Sequence, residues 1–324
     1  METTEMEEKD FWEQAMKKTL EDEETTSKGT FILENIDSEK DDEIRNINMV
    51  LAEAVMETEP TASDDGRAKP YSYIQDTVSM TDEERKTVLI TGGARRIGRE
   101  LVLAFAKAGW NVIIHCNKSL EEARMLAKEI TKYGGHPAVL RADLADEEKV
   151  KQIFPQISVK YRKVDCLINN AAVFERDEFK DISAESWNKH MAINVKAPLI
   201  LMQDFAKQYF SDNGEAGNII NITDAKVFAP TASFFSYQVS KSVLNDITKA
   251  AAIALAPNIR VNAIAPGVVL PSNYMSAKQL EEKEKSLPLR RKTSVKEICQ
   301  AVEFLLNSPS TTGETLILSS GMTL

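Results

Sequence analysis

Seven short runs of apolar residues, spread from Thr87 to the C-terminal end, constrain this chain more than any other feature. They read TVLI, NVIIHC, PAVLRA, VDCLIN, GNIINI, IRVNAIA and ETLIL. They are continuous runs rather than alternations of apolar and polar residues, as expected of strands covered on both faces. Longer stretches with helical apolar spacing lie between them, among them GRELVLAFAKAG, LEEARMLAKEITKYG and the residues from about Ser236 to Ala256. Strands alternating with helices predict an α/β fold: a doubly wound, mostly parallel, seven-stranded sheet. Ligands in such folds bind beyond the carboxyl ends of the strands, so the residues there are the candidates for function.

The pattern starts late, and charge marks the break. Residues 1–79 hold 22 acidic and 8 basic residues, which leaves 28 and 32 of the totals of 50 and 40 for residues 80–324. The expected division is an acidic extension and linker over 1–79, largely disordered or helical, and a globular domain over 80–324. FWEQAMKKTLEDEE and DEIRNINMVLAEAVMETE have helical spacing, and TEPTASDDGRAKPYS reads as linker. The extension reads either as a solubilising tail or as a docking element for a protein partner. Its acidity argues against nucleic acid and anionic membrane as that partner.

No stretch approaches the roughly 18 to 20 apolar residues that a membrane span needs. METTEMEEKD resembles neither a secretory signal nor an Arg-rich transit peptide. The three cysteines are an odd number at wide spacing, which predicts a reducing, cytoplasmic setting and no metal site.

The strand ends carry the chemistry. TVLITGGARRIGRE places a glycine turn between a buried strand and a helix, where backbone N–H groups and the helix dipole suit a pyrophosphate. Gly92, Arg96, Ile97 and Gly98 are the candidates there, with Arg96 standing where the middle glycine of the usual fingerprint belongs. In IIHCNKS no acid occurs to bind a ribose 2′-hydroxyl; His115, Asn117, Lys118 and Ser119 offer donors for a 2′-phosphate instead, which predicts NADPH as cofactor. Asp143 and Leu144 in ADLAD, Asn170 and Ala171 in INNAAVF, and Pro266 and Gly267 after IRVNAIA complete the expected cofactor lining. Phe174 follows the INNAA segment as either a core residue or a platform.

Tyr237 and Lys241, four residues apart on one helix face, form a pair able to pass protons. A phenol of ordinary pKa about 10 is a weak donor at neutral pH, and a nearby ammonium lowers it toward the useful range. Thirteen residues before Tyr237 stands Asp224, a carboxylate at the end of the GNIINI strand, which is expected to oppose Lys241 and keep the phenol protonated at neutral pH.

TGGARRIG, INNAA, YQVSK, Asn194 in INVKAP and IRVNAIAPG, in that order, resemble the short-chain dehydrogenase/reductase family over about residues 86–324. The resemblance implies a single Rossmann-type domain, commonly a homotetramer packed through helices, and an Asn–Ser–Tyr–Lys set. Asn194, Tyr237 and Lys241 fill three of those places, and Asp224 occupies the serine's. Asp224, Arg96 in the glycine turn, the HCNKS segment and Phe174 together resemble the pteridine reductases. That resemblance implies catalysis by Asp224, Tyr237, Lys241 and Asn194, and binding of a small pterin substrate by Arg96, Phe174, Asp224 and Tyr237.

The chemistry agrees. An aminopyrimidine edge rich in N–H groups needs an acceptor, whereas a ketone does not. The expected activity is NADPH-dependent reduction of a dihydropterin of the dihydrobiopterin, dihydromonapterin or dihydrofolate type. The alternatives are a carbonyl reductase, such as one for 3-oxoacyl thioesters, and a non-catalytic NADPH-binding protein. The segment between Gly267 and Leu289 is expected to form a mobile helical lid.

Overall fold

The structure is a computed structural model, and it describes residues 31–34, 85–132, 134–209 and 216–324. All seven runs named from the sequence are strands: β2 Thr87–Ile90, β3 Asn111–Cys116, β4 His136–Arg141, β5 Cys166–Asn169, β6 Gly217–Ile222, β7 Ile259–Pro266 and β8 Thr315–Leu318. An eighth, β1, spans Phe31–Glu34. The order across the sheet is β1-β4-β3-β2-β5-β6-β7-β8, and every pairing is parallel.

β1 corrects one expectation. FILE lies inside the segment read as disordered or helical, yet it pairs in register with Ala138 to Arg141 of β4. The outer edge of β4 presents unpaired backbone groups, and a short apolar run satisfies them. The remainder of the acidic extension, with its tail and docking readings, lies outside the described residues.

Helices cover both faces. α1 Arg96–Lys107, α2 Leu120–Lys132 and α9 Val295–Leu306 pack on one; α4 Ile153–Lys160, α6 Ala197–Lys207 and α7 Phe235–Leu255 pack on the other. Neighbours within one strand divide between the faces, because side chains alternate along it. Val88 and Ile90 join Leu101, Leu126 and Ile298 in one core, while Leu89 joins Phe154, Leu201 and Phe205 in the other. α3 Glu147–Lys151, α5 Ala184–Met191 and α8 Ala277–Ser286 complete the set.

Two features place the site. The chain moves outward from β2 to β3 and β4, then returns to β5 on the other side of β2, which opens a crevice at the carboxyl ends of β2 and β5. A buried polar chain also anchors α7 to the sheet: Asn169 donates to Asn221 at 2.9 Å, and Asn221 donates to Thr248 at 2.9 Å.

Candidate active site

The crevice is a cleft of about 1160 Å³. Every candidate residue named from the sequence lines it except Asn194.

The glycine turn forms one wall. Gly92 has φ +63°, a left-handed conformation that glycine adopts without a Cβ penalty. A Cβ on Gly98 would overlap the Gly92 carbonyl and lie 2.8 Å from Asn170 Nδ2, so only glycine lets α1 close on the turn. Asn170 braces it from the end of β5, donating to the carbonyls of Thr91 (2.8 Å) and Gly92 (3.2 Å). Ala171 donates from its backbone to Thr91 Oγ1 at 3.0 Å. Arg96 takes φ +55°, a conformation that costs a residue with a Cβ about 1–2 kcal/mol. Its guanidinium reaches across the cleft to the Pro271 carbonyl at 2.7 Å.

His115 departs from its expected part. Its Nδ1 accepts from the Gly92 N–H at 3.2 Å, which leaves the proton on Nε2 to donate to the Ala142 carbonyl at 3.1 Å. Burial lowers its pKa to about 4, so the ring is neutral and both nitrogens are committed. His115 is a brace for the glycine turn rather than a donor to a phosphate. Asn117, Lys118 and Ser119 continue the wall beside it, and Asp143 and Leu144 lie at the end of β4. Asp143 closes its own turn, accepting from the Ala145 N–H at 3.0 Å. Ile97, Pro266 and Gly267 complete this half.

At the other half the Tyr237 hydroxyl donates to Asp224 Oδ2 at 2.8 Å, and Asp224 Oδ1 accepts the Lys226 N–H at 2.8 Å. Burial pushes the Tyr237 phenol well above its ordinary value, and Asp224 adds to the rise. The opposing effect expected of Asp224 is thus the one that prevails, and the expected lowering by Lys241 is corrected: Lys241 Nζ donates to the Ile222 carbonyl at 2.7 Å. Burial lowers the Lys241 pKa to about 8, with Asp224 opposing. A phenol kept protonated beside a carboxylate is a proton donor with an acceptor attached.

Asn194 sits behind this group. α5 passes into α6 through one π-helical turn, Ala192–Lys196. The Asn194 amide accepts from the Val173 N–H (2.9 Å) and donates to the Val173 carbonyl (3.0 Å) and Ser240 Oγ (2.9 Å). Its side chain therefore positions the loop before Phe174 and does not face the reacting groups.

Phe174 is a wall of the cleft, but one of its faces is covered. Phe234 stacks on it at 4.4 Å and 7° between planes. Tyr237 and Tyr274 meet it edge-on at 4.7 Å and 5.8 Å. Tyr274 belongs to the segment expected as a lid, which carries α8 with a capping box at Ser276 and Gln279. Phe234, Tyr274 and Lys226 were not singled out from the sequence; FF at the start of the tyrosine helix and Lys226 two residues after Asp224 were the available signals.

Among the described residues no group of three or more His, Cys, Asp or Glu is placed to hold a metal ion, and no helix is long and apolar enough to cross a membrane.

Comparisons with known proteins agree with the geometry. A family model described as short chain dehydrogenase matches residues 86–283. The uncharacterized oxidoreductase YohF of Escherichia coli (strain K12) is 30% identical over 244 residues, 74% of this chain and 96% of its own. The 3-oxoacyl-[acyl-carrier-protein] reductase FabG of a Staphylococcus epidermidis strain is 28% identical over 242 residues, 73% of this chain and 98% of its own. A crystal structure of FolM alternative dihydrofolate reductase 1 from Brucella suis in complex with NADP superposes with TM-score 0.70 at 38% identity. That match covers 74% of this chain and 95% of the other.

Proposed function

Because this chain belongs to the short-chain dehydrogenase family and is an NADPH-dependent oxidoreductase, we propose that it reduces a dihydropterin to the tetrahydropterin. The observation that carries this reading is the hydrogen bond from Tyr237 to Asp224, a carboxylate where a carbonyl reductase needs only a hydroxyl. The similarity to a FolM chain supports the same substrate class.

The cleft fits the cofactor. Arg96, Lys118 and Ser119 supply charge and donors for phosphates, no acid stands between Cys116 and Leu120 to repel a 2′-phosphate, and the turn at Gly92 opens a helix N-terminus toward the cleft. NADPH, when bound, supplies a hydride to the carbon of the substrate's C=N bond. Tyr237 gives the accompanying proton to the nitrogen, so the double bond becomes C–H and N–H. Asp224 accepts hydrogen bonds from the aminopyrimidine N–H groups with its remaining lone pairs, and returns a proton from solvent to the phenolate. Lys241, charged below about pH 8, opposes build-up of negative charge on the pair. Phe174 and Tyr274 present aromatic surface to a flat ring.

The FabG similarity supports a second reading, reduction of a 3-oxoacyl thioester, since the tyrosine–lysine pair serves either substrate. NADPH absorbance with purified protein separates the two. Dihydrobiopterin is expected to drive oxidation and acetoacetyl thioester to leave it at the blank rate. Asp224→Ser is expected to lower kcat/KM for the pterin about 10- to 100-fold, the worth of a charged hydrogen bond to a buried donor. Activity on the thioester alone overturns the proposal.

A further inference from the structure

The substrate half of the cleft holds a cation that the reduction does not use. Lys226 Nζ lies 4.9 Å from the ring centroid of Phe174, 5.1 Å from Phe234 and 5.8 Å from Tyr237. The residue is half-buried, lines the same cleft, and has no acidic partner among the described residues. Its root is fixed, because Asp224 Oδ1 holds its backbone N–H two residues from the carboxylate that would grip the pterin edge.

Two other cations near Phe174 are neutralised. Lys189 pairs with Glu175, and Arg176 pairs with Glu178. Lys226 instead rests on aromatic rings, a weak hold for an ammonium. A flat heterocycle that stacks on Phe174 competes for the ring against which Lys226 lies. The displaced ammonium, still partly withdrawn from water, is best satisfied by an anion. Lys283 of α8 lines the same cleft. Tyr274, which lines the cleft and meets Phe234 edge-on at 5.2 Å, gives an aryl spacer a surface to lie on between pterin and anion.

Resting on the dihydropterin reading, we propose that Lys226 selects substrates with an anionic tail, so that a dihydropterin ending in a carboxylate is preferred to one with a neutral tail. The test compares dihydrofolate, whose tail is anionic, with dihydrobiopterin, whose tail is neutral, on the wild type, Lys226→Met and Lys226→Arg.

Lys226→Met is expected to raise KM for dihydrofolate about tenfold, the loss of one charge-assisted contact, with kcat little changed. KM for dihydrobiopterin stays near its wild-type value, and Lys226→Arg keeps the preference. Salt should weaken dihydrofolate use in the wild type more than in Lys226→Met. An equal change in KM for both pterins, or none for dihydrofolate, overturns the inference.

If the wild type reduces neither pterin, the activity reading fails by itself. The selection is then read from calorimetric binding of folate and biopterin to the protein loaded with NADP. Preference for folate that is lost in Lys226→Met supports the inference; equal binding, or none, overturns it.

Discussion

Burial of His115 between the Gly92 amide and the Ala142 carbonyl makes the glycine turn sensitive to acid. The folded-state pKa is about 4 against an ordinary 6.5, so the unfolded chain takes up the proton first as pH falls. Stability is therefore full above about pH 6.5 and is lost as pH drops through the window toward 4, by about 3 kcal/mol at its end. Urea unfolding at pH 7 and pH 5 checks this: the wild type should lose about 2 kcal/mol more than His115→Asn over that step. Parallel losses would mean that the imidazole is not the responsible group. Asp224 was legible in the sequence, since its spacing from Tyr237 survives in the fold as a direct hydrogen bond. His115 was legible only as a residue at the right strand end. Which atoms meet its two nitrogens depends on Gly92 and Ala142, each more than twenty residues away.

The helix that carries Tyr237 and Lys241 is started by another part of the chain. Phe234, its N-cap at φ +63°, offers no capping side chain. Asp177, from the loop after β5, takes that place: Oδ1 accepts the Ser236 N–H at 3.0 Å, and its backbone carbonyl accepts the Phe234 N–H at 2.8 Å. Ser186 Oγ holds the other carboxylate oxygen at 2.9 Å. Burial raises the Asp177 pKa, but the bonds from Ser236 and Ser186 outweigh it and the net direction is down. Asp177→Ala is expected to cost about 1–2 kcal/mol in urea unfolding, as loss of a cap does, and to lower kcat while NADPH affinity holds. Unchanged kcat would separate the cap from the placement of Tyr237. α7 itself was legible from its apolar spacing. Its cap was not, because 59 residues separate Asp177 from Ser236 and no local pattern links them.

At the scale of the molecule, seven strands were legible because burial on both faces demands continuous apolar runs. β1 was not: four residues inside an acidic segment acquire strand character only from the edge of β4. Deleting residues 1–35 should lower Tm by several degrees, through loss of a few backbone hydrogen bonds of about 1 kcal/mol each. NADPH affinity should be untouched, since β4 and β3 lie between β1 and β2. Calorimetry and cofactor titration of the full and shortened chains decide it, and a loss of affinity would tie β1 to the site.

The sheet also keeps two cores apart that share no residue, one under α1, α2 and α9, the other under α4, α6 and α7. Mutational histories of the two layers can thus run separately. A lineage is free to re-tailor the layer that carries Tyr237 while inheriting the layer behind the glycine turn unaltered, and paired substitutions across the sheet should combine additively.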